Sequence, residues 1–163
     1  MSLSNPPQLD DKTKQLLTYL IDKHAVATVT SLVKLCYLSD LVYFQSHKKQ
    51  ISSLHYIRWN YGPYDSLISK YLLDLVTSDT IESKVAFTND GNEYFKYSLK
   101  NSDYNHSLLA DDELESVDAV LNSLAGYGAN ALIKVAYETK PMKALGATIN
   151  GTENLGAELN LSA

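Results

Sequence analysis

Side chains able to make or break bonds are few in this chain, and they fall into no catalytic pattern. Cys36 is the only cysteine, which excludes an internal disulfide and any cysteine-based zinc site. It lies in an apolar run with Leu35 and Leu38, so a buried, inert thiol is expected rather than a nucleophile. The histidines are His24, His47, His55 and His106. No two stand at the i, i+4 spacing that builds a metal face on a helix, and no His-Glu-x-x-His occurs. His24 and His47 fall near predicted helix C-termini, where a positive side chain suits the dipole, and are expected as surface caps. Asp111-Asp112-Glu113 has the oxygens a divalent cation takes, but it opens an amphipathic stretch and reads as a solvated helix start. Ser66 follows Asp65 with nothing to activate it. No phosphate loop, dinucleotide fingerprint or nucleophile elbow is present. These residues predict no catalytic set, no metal and no cofactor. Recognition is the chemistry that is left.

Recognition chemistry concentrates in one segment, Tyr56-Ile57-Arg58-Trp59-Asn60-Tyr61-Gly62-Pro63-Tyr64-Asp65. Tyr and Trp dominate interface hot spots. The same rings also serve as core packing or as a corner tied by a tyrosine hydroxyl. The chain has 12 tyrosines, more than a core of this size readily supplies with hydroxyl partners, so some are expected at the surface. Pro63 is predicted in the first turn of a helix, where its missing N–H has no intrahelical partner. Gly62 would permit a sharp entry, and Asp65 would sit at the positive end of the dipole.

The elements around this segment follow from periodicity. Asp10 to about His24 predicts a first helix, with Leu16, Leu17, Leu20 and Ile21 at helical spacing. Thr30 to about His47 predicts a second. Its apolar residues occupy nearly every side of the wheel, as a surrounded central helix requires, and Asp40 among them needs donors if buried. Tyr56–Trp59 suits a short strand, and Pro63 to Val76 a third helix. Ile81 to about Leu99 predicts a hairpin turning at Asn89-Asp90-Gly91. Two helices follow, Asp111–Ala125 and Asn130 to about Tyr137, the second ended by Glu138-Thr139-Lys140-Pro141. The expected fold is mainly α (α+β), five or so helices with a small β-hairpin and a winged-helix-like core. Residues 1–9 are expected as a flexible tip, 10–145 as the domain, and 146–163 as a tail whose one predicted element is a terminal strand near Leu159.

Composition narrows the partners. At 163 residues, 45% hydrophobic and 20% charged, the chain is one ordinary globular domain. No apolar run approaches a membrane span, and no signal segment opens the sequence, so a cytoplasmic location without membrane contact is expected. The formal net charge is -5, unlike the basic profile of a nucleic-acid binder. Lys34, Lys48, Lys49 and the single arginine, Arg58, make up the one patch that would contact phosphate in a DNA-binding alternative.

Three stretches carry a family resemblance. Lys34-Leu35-Cys36-Tyr37-Leu38-Ser39-Asp40 resembles the K-L-x-Y-L-x-D signature of the Panacea domain, the SocA-like antitoxin and phage-associated family. Trp59-Asn60-Tyr61-Gly62-Pro63-Tyr64 is similar to its aromatic-Y-G-P signature, and Ile68, Leu72 and Leu75 fit the helix behind it. Thr139-Lys140-Pro141 is similar to its late Thr-x-Pro. In departure from the pattern, Cys36 replaces a bulkier aliphatic, and the turn before Tyr56 has no glycine. The resemblance implies a mostly helical antitoxin of a toxin–antitoxin pair. It would neutralise a protein toxin by direct contact, in some members as an adaptor delivering it to a protease, and would be phage- or prophage-associated. It implies a signature cluster of Tyr37, Asp40, Trp59, Tyr61, Gly62, Pro63 and Tyr64, with Asp40 bonding the tyrosine corner or the start of the third helix. The alternative is a winged-helix DNA-binding transcriptional regulator.

Overall fold

A computed structural model describes residues 8–163. Of the expected flexible tip, residues 1–7 lie outside the described residues, while Leu9 packs against the core. Helix α1 spans Asp11–Lys23, and its cap Asp10 accepts from the Thr13 N–H at 3.0 Å. Helix α2 spans Val29–His47 and starts in a capping box between Thr28 and Ser31, which satisfies two otherwise orphaned donors. It is the centre of the molecule, packed against four other helices and buried along most of its length. An apolar surface on all sides of a helix has this consequence. Lys48 closes α2 at φ 58. That left-handed position is the one glycine usually fills, so a lysine there is held by the surrounding fold.

The next elements differ from the sequence expectation. Strand β1 is Ile57–Trp59 and strand β2 is Gly62–Tyr64, paired antiparallel with Arg58 opposite Pro63. Pro63 is therefore a strand residue, and α3 begins only at Leu67 and runs to Thr77. The ladder explains why proline is tolerated. The Arg58 N–H donates to Ala157 O at 2.8 Å and its carbonyl accepts from Gly156 N–H at 2.7 Å. Both Arg58 backbone groups thus face away from β2, so Arg58 and Pro63 form a non-hydrogen-bonded pair and the absent N–H is not missed. Gly62 makes the reversal at φ 104, a conformation that penalises any Cβ. A Cβ there would also sit 3.4 Å from the Tyr137 ring. Asp65 opens α3 from just outside it. One carboxylate oxygen accepts from the Leu67 N–H and the other from the His55 N–H.

Strands β3 (Ile81–Phe87) and β4 (Glu93–Leu99) form the expected hairpin, with Gly91 at φ 83 in the turn. Helix α4 (Asp111–Ser123) and α5 (Ala129–Tyr137) then pack on α2. A sixth helix, α6 (Lys140–Ala144), follows. The sequence does not announce it, since five residues are too few to show a period and Pro141 looks like a stop. Pro141 sits in its first turn instead, a position that suits proline. The fold is mainly α with two small antiparallel hairpins.

The tail is ordered by β1. Glu158 bridges Ile57, and the Leu159 N–H donates to Tyr56 O at 3.0 Å. Of the two histidines expected as surface caps, one departs from that role. His24 ends α1, but it is buried and its Nε2 donates to Tyr127 O at 2.8 Å, because the α4–α5 connection closes over it. His47 does end α2 at the surface, stacked on Tyr43 with ring centres 4.0 Å apart. Cys36 is fully buried, and burial pushes its thiol up, the direction of an unreactive sulfur.

Candidate functional site

The signature residues occupy two levels. The lower level is a buried polar knot hung on α2. Asp40 has no exposure, and its carboxylate accepts from the N–H groups of Ile51 and Ser52 at 2.9 Å, the Ser52 hydroxyl at 2.5 Å and the Tyr56 hydroxyl at 2.7 Å. It ties the loop after α2 to the start of β1. Of the two roles expected for it, the structure realises the tyrosine bond, and Asp65 takes the start of α3. Burial pushes the Asp40 carboxyl up, against the downward pull of the Ser52, Tyr56 and Ile51 donors. Tyr37 lies edge-on to Tyr56, ring centres 5.2 Å apart. Its hydroxyl donates to Thr139 Oγ1 at 2.7 Å, since Thr139 itself donates to Ala136 O. Burial raises the Tyr37 phenol to about 12. The first and third landmark segments therefore meet through one hydrogen bond.

The upper level is the β1–β2 tip. Trp59 is 43% exposed and Tyr61 63%, with Gly62 and Pro63 buried beneath them and Tyr64 half-buried against the core. A buried scaffold thus holds an aromatic tip in solvent. A second exposed apolar set, Val85, Phe87 and Phe95, lies on the β3–β4 hairpin.

The proposed basic patch is not one surface. Lys34 and Arg58 are buried, and only Lys48 and Lys49 are exposed. Arg58 is a clip for the tail. Its guanidinium donates to the carbonyls of Glu153 at 3.0 Å, Gly151 at 2.9 Å and Thr148 at 3.2 Å, to the Tyr137 hydroxyl at 2.9 Å, and to Trp59 O. It also lies over the Tyr137 ring. The fan of donors of a guanidinium suits converging carbonyls. Sequence reasoning missed this role, together with those of Ser52 and Tyr137. A lone arginine inside an aromatic segment was the available signal. Thr139 alone was marked, by the Thr-x-Pro landmark.

A model of the antitoxin SocA-like Panacea domain matches residues 32–141, from the first turn of α2 to α6. The chain belongs to this family. No curated protein and no solved structure matches it. In this Panacea chain the matched stretch contains both levels of the site, whereas α1 and the clipped tail lie outside it. Membership points to an antitoxin-like role that is not enzymatic. Among the described residues, no helix is long and apolar enough to cross a membrane.

Lys34, in the first landmark, is 2% exposed, and its ammonium donates to Pro63 O at 3.0 Å. Burial lowers it from 10.5 to about 8. Below pH 8 it is charged in both folded and unfolded states, and the folded state carries the full desolvation cost, about 3 kcal/mol at 1.36 kcal/mol per pKa unit. Between about 8 and 10.5 the unfolded chain holds a proton the folded chain has shed, so stability rises with pH there. Lys34→Met, which gives up a hydrogen bond of about 1 kcal/mol, is expected to be about 1–2 kcal/mol more stable than the parent at pH 7. The gain should fade as pH rises from 8 towards 10, as measured by urea unfolding. A gain that does not change with pH would show that the ammonium is not held at a desolvation cost.

Proposed function

We propose that this protein is a cytoplasmic antitoxin that neutralises a protein toxin by direct binding, using the β1–β2 tip as its docking face. One observation carries the reading: Trp59 and Tyr61 stand exposed on a hairpin that Asp40, Arg58 and the tail immobilise from below. A hairpin whose backbone is already fixed loses little entropy on binding. The net charge of -5 favours a basic partner and a faster encounter. Delivery of the toxin to a protease, and a phage or prophage setting, belong to the same family-based reading.

Co-expression with a toxin encoded beside it tests this. Trp59→Ala with Tyr61→Ala is expected to abolish growth rescue and weaken binding by about 30-fold or more, on the order of 2 kcal/mol. Folding should be intact, since both side chains are exposed. Rescue that survives this pair but is lost in Phe87→Ala with Phe95→Ala would move the docking face to the β3–β4 hairpin and overturn the proposal.

The winged-helix regulator keeps the helix order and the hairpin after α3 in its favour. Its exposed cations beside α2 are Lys48 and Lys49, and residues 48–66 stand where a helix-turn-helix has a short turn. A salt-dependent shift of promoter DNA would favour it.

A further inference from the structure

The tip and α2 enclose a cavity of about 210 Å³ whose lining includes Val29, Thr30, Lys34, Trp59, Tyr61 and Tyr64. Lys34 is the only charged residue lining it. An ammonium has three donors, and the one hydrogen bond formed here is to Pro63 O. No salt bridge among the described residues includes Lys34. Val29 and Thr30, on the first turn of α2, form one side of the cavity. Val33, Asn60 and the aromatic residues Trp59, Tyr61 and Tyr64 supply the remaining wall. The space suits a single side chain with a short apolar stem and a negative end.

We propose that this cavity receives an acidic side chain of the bound polypeptide, its stem between Trp59 and Tyr61 and its carboxylate paired with the Lys34 ammonium. The proposal rests on the docking reading and gives that face its chemistry. It also supplies the counter-ion that a buried cation otherwise lacks. A toxin of basic overall charge would carry this one acid as its anchor, which separates the cognate partner from other basic proteins.

The chain has one tryptophan, so Trp59 fluorescence reports on the cavity directly. The intact protein, without toxin, is titrated with sodium propionate and, at equal ionic strength, with propionamide. Propionate is expected to give a saturable change in the millimolar range, and propionamide none. The lysine side-chain ¹⁵N resonance of Lys34 should move with propionate alone, a readout that needs no variant. Lys34→Met should lose the fluorescence response while still melting cooperatively, at a temperature no lower than the parent's. Equal responses to acid and amide, or no response to either, would overturn the carboxylate site and leave the docking face, which the Trp59 and Tyr61 substitutions decide separately. In the complex, Lys34→Met should weaken toxin binding by at least about tenfold. Unchanged toxin binding with the propionate response intact would also overturn the proposal, by making the cavity a small-acid site and not a partner contact.

Discussion

Arg58→Ala is expected to release the C-terminal segment and to destabilise the domain by about 3–5 kcal/mol, the range for breaking a buried charged network. Arg58 has no exposure, and its guanidinium holds the carbonyls of residues 148, 151 and 153 as well as the Tyr137 hydroxyl. Alanine would leave those acceptors facing a cavity. Its backbone ladder to Ala157 and Gly156 would remain, but a short ladder without the side-chain clip is a marginal edge. Limited proteolysis should then cut within residues 146–163 early, while the body of the domain resists longer. Arg58→Lys is expected to recover little, because one point charge cannot reach carbonyls spread over three positions. A tail that stays protected in Arg58→Ala would show that the ladder alone retains it. The exposed Trp59 next to the clip should also lose its fixed position, so toxin binding should fall along with stability.

Asp40 carries the second large effect. Asp40→Ala removes the acceptor for two backbone N–H groups and two hydroxyls, all buried. Each orphaned buried donor costs about 1–3 kcal/mol, so a loss above about 4 kcal/mol is expected, and the variant should be largely unfolded at 37 °C. Asp40→Asn keeps the shape but turns an NH₂ towards donors, and should lose about 2–3 kcal/mol. Tyr56→Phe should lose about 1 kcal/mol, with coupling to Asp40 visible in a double-mutant cycle. Urea unfolding measures all three. Asp40→Ala within 1 kcal/mol of the parent would mean that solvent or a rearranged loop replaces the carboxylate.

Much of this architecture is legible in local pattern. The wheel of α2, apolar on every side, identifies it as the central helix, and the buried acid within it announces a need for donors. Asp-Gly marks the β3–β4 turn, and Asp10 marks the start of α1. What local pattern misjudges is set by distant chain. Pro63 has the same missing N–H at a helix start and in a non-hydrogen-bonded strand position. The choice was made by Arg58, whose backbone is turned away towards residues nearly a hundred positions later. Arg58 and Lys34 count as basic surface in a composition, because a sequence does not show which carbonyls will cover them. Exposure of Trp59 and Tyr61, against burial of Tyr56 just before them, depends on the direction of one short hairpin. That direction is fixed by Gly62 and by the tail together.

The family match gives the class of protein, and the two-level site suggests how it works: a rigid buried knot below, a small aromatic tip above. Hydrogen–deuterium exchange on the purified protein, alone and with its cognate toxin, tests that division most directly. Slowed exchange confined to residues 59–64 and the first turn of α2, with the Asp40 loop already protected in the free protein, is the predicted result. Protection that appears on the β3–β4 hairpin or the tail, and leaves residues 59–64 unchanged, would contradict it.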